Sequence, residues 1–109
     1  MTNEFIEWQR EHPNFITPDL LKYDKMGNYV VELSEGRGFT NKPIFGVTLL
    51  EKEDDHFKSF GRGFSQPFHD KRMALDYFDK LSSSLEKCHH IDDKDAFEEC
   101  MDRRLEEED

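Results

Sequence analysis

The sequence predicts an α+β fold in the order α-β-β-β-α-α: an antiparallel meander sheet of three strands, with room for a fourth, packed against helices. Three features lead there. "YVVEL" (29–33) and "IFGVTLLEK" (44–52) set apolar residues at every second position, as half-buried strands do. The strand-like runs follow one another with connections too short for a crossover helix, which makes antiparallel pairing the natural result. Downstream, Ala74, Phe78, Leu81 and Leu85 fall at 4-3-4 spacing, which places them on one face of an amphipathic helix.

Each element has its own signal. Thr2 or Asn3 can cap a first helix through "EFIEWQREH", with Phe5, Trp8, Gln9 and His12 on its inner face and Pro13 ending it. The segment 18–25 reads two ways. Thr17-Pro18-Asp19 has the form of a helix start with Pro at the first helical position, and a helical turn is the preferred reading. A short strand at Leu20–Tyr23 before a turn at Asp24–Asn28 is the other. Tyr29, Val31 and Leu33 then share one strand face, and Phe45, Val47 and Leu49 share one face of the next, opposite Gly46, Thr48 and Leu50. Glu53–Asp55 is a turn. "HFKSFGRGF" (56–64) reads as the third strand, with Phe60, Arg62 and Phe64 on one face. Asp70 caps the long helix, and Cys88-His89-His90 breaks it. The last helix starts at Asp92, with Ile91 and Ala96 placed as a hydrophobic staple, and Phe97, Cys100, Met101 and Leu105 on its inner face. Helices on one face of a three-stranded sheet leave the other face and two edges open, which a homodimer would cover.

A chain of 109 residues fits one domain, 1–109. Leu, Ile, Val and Phe supply 26 residues, ten of them Phe, enough apolar area for a core. The net charge of −10 is uneven: residues 92–109 carry ten acids and three bases, a net of −7, and residues 1–91 carry fifteen acids and twelve bases, a net of −3. This balance excludes a general duplex nucleic-acid binder and adsorption to an anionic membrane, and it permits a protein partner. The acidic last helix (92–109) reads as a solvated face, its acids not being confined to one stripe. No apolar run is long enough to span a bilayer. "MTNEFIEWQREHP" lacks the basic and apolar regions of a signal peptide, so the reading is cytoplasmic, with Cys88 and Cys100 as reduced thiols.

The chain has six glycines, and four fall in one repeated motif: Ser34-Glu35-Gly36-Arg37-Gly38-Phe39-Thr40 and Ser59-Phe60-Gly61-Arg62-Gly63-Phe64-Ser65. Glycines two apart bare a strip of strand backbone, so the preferred reading is close packing or a bulge, with Phe39 and Phe64 as core anchors. The alternative is an anion site. If the copies are neighbours, Arg37 and Arg62, with N–H groups at Gly36, Gly38, Gly61 and Gly63, converge on a phosphate or carboxylate. No Lys-Ser/Thr follows the glycines, so this is not a phosphate loop, and the third glycine of a dinucleotide fingerprint is missing. An arginine–aromatic platform for single-stranded nucleic acid is a further reading, ill matched to an acidic chain.

Cys88, His89 and His90 are metal-ligand types, as are Cys100, His56 and His69, but no Cys-x-x-Cys or His-x-x-x-His spacing joins them. No metal or other cofactor is therefore expected. Asp54-Asp55 and Asp92-Asp93 suit a turn and a helix cap. His69-Asp70 has acid–base types but reads as a cap with an exposed neighbour. The expectation is a non-enzymatic interaction or regulatory module with a protein partner or a second copy, and the alternative is a binding protein for a phosphate- or carboxylate-bearing small ligand.

Overall fold

The computed structural model describes residues 4–12, 17–38, 41–60 and 64–107. Eight elements follow in the order α1 (Glu4–Glu11), β1 (Asp19–Met26), β2 (Tyr29–Arg37), β3 (Pro43–Glu53), β4 (His56–Ser59), β5 (Ser65–Phe68), α2 (Lys71–Cys88) and α3 (Lys94–Glu107). The class is α+β. All strands belong to one antiparallel sheet, with β1-β2-β3-β4 as a meander and β5 also paired to β3.

Tyr29, Val31, Leu33, Phe45, Val47 and Leu49 face α2, as the alternation predicts, and all are buried. Against them lie Ala74, Phe78, Leu81 and Leu85 of α2, each fully buried. Asp70 is the N-cap, its Oδ1 accepting from the Arg72 N–H at 2.8 Å. Such a cap contributes about 1 kcal/mol. α3 adds Phe97 and Met101 to the same core, with Phe97 stacked on Tyr29 at 4.2 Å between ring centroids. Its cap is Asp93, whose Oδ2 accepts from the Ala96 N–H, so the helix begins one residue later than the staple pattern suggests.

The opposite sheet face is not open throughout, as a one-sided packing would leave it. Phe5 of α1 packs there with Val30, Leu50 and Phe57, all buried, and Trp8, Leu20 and Tyr23 surround them. β2 is therefore buried on both faces from Tyr29 to Ser34. This cover sits over the Leu50 end of β3 and leaves Ile44, Gly46 and Thr48 half-buried. The expected inner face of the first helix holds for Phe5 and Gln9, whereas Trp8 is half-buried and His12 exposed.

Two expectations are corrected. Residues 19–26 form strand β1, not a helical turn. The inner edge of β2 needs a partner, and Gly27, at φ +59°, turns the chain back to supply it. The pairing outweighs the helix-start signal of Thr17-Pro18-Asp19. The third strand does not run through to Phe64. It ends at Ser59 as β4, and β5, a strand beyond the expected 56–64, shares the outer edge of β3 with it, the two lying opposite Leu50–Glu53 and Phe45–Thr48 respectively. Between them Leu49 holds both ends of the interruption: its carbonyl accepts from the Phe60 N–H at 2.8 Å and its N–H donates to Phe64 at 3.2 Å.

Candidate functional site

Of the two GRGF copies, the structure describes Gly36, Arg37 and Gly38 of the first and Phe64 of the second. In the first, Gly36 is buried in β2 opposite Ile44, and Arg37 ends the strand opposite Pro43. The Arg37 guanidinium is exposed, and its Nη1 donates to the Asn41 carbonyl 3.1 Å away, inside its own hairpin loop. Gly38 closes that loop, its N–H donating to Lys42 and its carbonyl accepting from Asn41. A Cβ at Gly38 would come within 2.7 Å of Ile44 Cδ1, so a side chain there displaces the Ile44 tip. In the second copy, Phe64 is a buried core residue, as expected of an anchor. Gly61, Arg62 and Gly63, like Phe39, lie outside the described residues. The described residues on either side, Phe60 and Phe64, both bond to Leu49, six residues along β3 from Pro43, or about 20 Å at strand rise.

Cys88 and Cys100 are joined by a disulfide. This overturns the expectation of reduced thiols and removes the Cys88 sulfur from the metal-ligand candidates. Their sequence separation of 12 residues gave no sign of the pairing; the turn between α2 and α3 brings them together. His89 is the C-cap of α2, its N–H donating to Leu85. The His89 and His90 rings stand 6.0 Å apart at right angles. Among the described residues no three His, Cys, Asp or Glu side chains gather as a metal site. His69 lies beside the Pro43 carbonyl at 3.4 Å, while Asp70 serves as the cap. Asp54 and Asp55 make the β3–β4 turn, Asp54 at φ +55°.

The structure draws attention instead to the half-covered sheet face. Beyond the end of α1 lies a groove of about 280 Å³, lined by Thr17, Ile44, Gly46, Thr48, Ser65, Gln66 and Pro67. None of these side chains is charged, although charged residues make up 37% of the chain. The floor is built by small side chains. Gly46 lies opposite Ser34, and the Thr17 and Ser34 hydroxyls are hydrogen-bonded at 2.7 Å. A Cβ on Gly46 would sit 3.1 Å from Thr17 Oγ1, so the segment entering β1 lies tightly across the glycine. Gln9 of α1 steadies the same segment by donating to the Pro18 carbonyl.

Glu32 lies beside this floor, flanked in register by Tyr23 of β1 and by the groove residue Thr48 of β3. Only 6% of it is exposed. Burial pushes its carboxyl from the ordinary 4.5 up to about 7, against the smaller opposing effect of a hydrogen bond from Ser34. Around neutral pH it is therefore divided between a neutral donor and a carboxylate. A buried, shifted carboxyl next to a concave surface is the arrangement that binding sites favour. Sequence reading passes over it because the fourth residue of "YVVEL" looks solvent-facing in a two-layer fold. The available signal was the run of small and hydroxyl residues, Ser34, Gly46 and Thr48, on one face of adjacent strands.

A second polar cluster lies farther along β3, where Tyr29, Glu51, Asp92 and Lys94 meet. Burial first, then the carboxylates of Glu51 and Asp92, raise the Tyr29 phenol. Lys94 reaches Glu51 at 3.2 Å, so this cluster ties the start of α3 to the sheet. No family model, curated protein or solved structure matches the chain.

Proposed function

We propose that this protein is an interaction module whose partner inserts a neutral, partly apolar segment into the groove over Ile44, Gly46 and Thr48. The observation that carries the reading is the uncharged lining of that groove on an otherwise highly charged surface. Interfaces are depleted of charge at their centres. The hydroxyls of Thr17, Thr48 and Ser65 and the amide of Gln66 would give such a segment hydrogen bonds without requiring it to carry charge. The half-buried Ile44 and Pro67 would supply apolar contact. A phosphate or carboxylate is a poor match for this lining, and duplex nucleic acid is a poor match for the acidic chain.

No described helix is long and apolar enough to cross a membrane. A cytoplasmic place of action belongs to this reading, and in that compartment a disulfide is typically transient. The module is tested by selecting phage-displayed peptides on the folded protein and measuring the selected peptides on Thr48→Arg. Peptides with an apolar residue flanked by Ser, Thr, Asn or Gln, losing about tenfold or more in affinity on the variant, are expected. Peptides dominated by acids or bases, or binding Thr48→Arg as well as the parent, would overturn the reading. The amide spectrum of the variant establishes that it remains folded.

A further inference from the structure

We propose that the Cys88–Cys100 bond is a redox site, opened at Cys100 by a dithiol and closed again by the disulfide form of such a reagent, and that opening it releases α3 from the body of the protein. The two sulfurs differ in access. Cys88 is fully buried in the main core. Cys100 is partly exposed and opens into a surface depression of about 460 Å³ with Glu99, Arg103 and Arg104 on its walls. Arg103 is engaged by Glu99 at 2.9 Å. Arg104 lines the same depression as Cys100, where its positive charge would attract an incoming thiolate.

The exchange balances with a dithiol as reductant. One of its thiolates attacks Cys100 Sγ, the Cys88–Cys100 bond breaks, and Cys88 leaves as a thiolate that takes up a proton. The second thiolate of the reagent then attacks the reagent sulfur in the mixed disulfide and releases Cys100. Two electrons and two protons pass to the protein, and the reagent becomes a disulfide. Access decides which sulfur is attacked, because Cys88 is shielded until α3 moves.

The consequence lies in how little else holds α3. Its packed residues are Phe97 and Met101, with Cys100 and Leu105 at the margin. Lys94 adds the ion pair to Glu51, in which the lysine side chain is 61% exposed. Surface pairs of this kind contribute little. From Lys94 to Glu107 the helix carries six acids and three bases, a composition that favours water over burial. Its departure uncovers Tyr29 and Phe60, the ring partners of Phe97. α2 and the sheet keep their own interlock through Phe78, Leu81, Val47 and Leu49.

The inference is independent of the groove, and amide hydrogen exchange tests it on the intact chain, oxidised and after dithiothreitol. Peptides covering 94–107 should exchange at least about tenfold faster once reduced, while those covering 74–85 and 29–34 change by less than about twofold. Equal protection of α3 in both forms overturns the proposal, and so does loss of protection throughout the chain. Glutathione supplies the second readout. Its first adduct on the oxidised protein should map to Cys100, and Arg104→Ala should slow adduct formation several-fold, with Arg104→Lys restoring it. A first adduct on Cys88, or a rate indifferent to Arg104, refutes the assigned entry point.

Discussion

Glu32 illustrates how the environment of a strand residue is decided by what crosses the sheet behind it. Its neighbours Val31 and Leu33 meet α2, while Glu32 faces the side closed by α1 and the chain at Thr17. The folded protein holds the Glu32 proton more tightly than the unfolded chain does, because burial disfavours the carboxylate. The contribution of this group to stability is therefore complete below its ordinary value of 4.5 and is lost as pH rises through about 7. Linkage puts that loss at roughly 3 kcal/mol across the interval. Urea melts at pH 5 and pH 8 should show Glu32→Gln free of this part of the decline, and so stabilised relative to the parent at the higher pH. Identical declines in both proteins would mean that the carboxyl is hydrated in the fold.

At the scale of elements, α2 and the α2-facing side of the sheet were legible because their signals are local. A 4-3-4 stripe, a capping Asp70 and a turn at Asp54–Asp55 are written in adjacent residues, and each is found in place. β1 was obscured because its sequence, "DLLKYDKM", has no clear alternation and contains a bulge, the register shifting between Leu20 and Lys22. The division of β4 from β5 was obscured because Phe60 and Phe64 both reach the core, which a continuous strand would also achieve. Of the groove only the small and hydroxyl residues Ser34, Gly46 and Thr48 were legible, since its opening depends on where α1 stops covering the sheet. The legible part is also where the stability argument is firmest. Phe78 is fully buried, with Lys22 Nζ 4.8 Å from its ring centroid on the sheet side. Phe78→Ala should cost about 3–5 kcal/mol by chemical denaturation. A loss below about 1 kcal/mol would show the α2–sheet interface to be loosely packed.

For the whole molecule, the open edges that suggested a homodimer are less inviting than a simple meander implies. β1 has its bulge at Leu21, and Lys22, Asp24 and Lys25 place charges along the strand. On the other side the edge is divided into two four-residue strands, and Pro67 of β5 has no N–H to offer. Short strands, bulges, charges and proline are the features that discourage edge-to-edge pairing. Two copies would also bring together a formal charge of −20, twice the −10 of one chain, at a cost that rises as salt is removed. The remaining route to self-association is the sheet-face groove, which a second copy could enter only by presenting an uncharged segment. The expected outcome of sedimentation equilibrium at micromolar concentration is therefore the mass of a single chain, at both low and moderate salt. Twice that mass, abolished by Thr48→Arg, would make a second copy the occupant of the groove in place of a different protein. Twice that mass, unaffected by Thr48→Arg but lost when the β1 pairing edge is disrupted by Tyr23→Pro in a still-folded chain, would show that the bulge and charges fail to protect that edge.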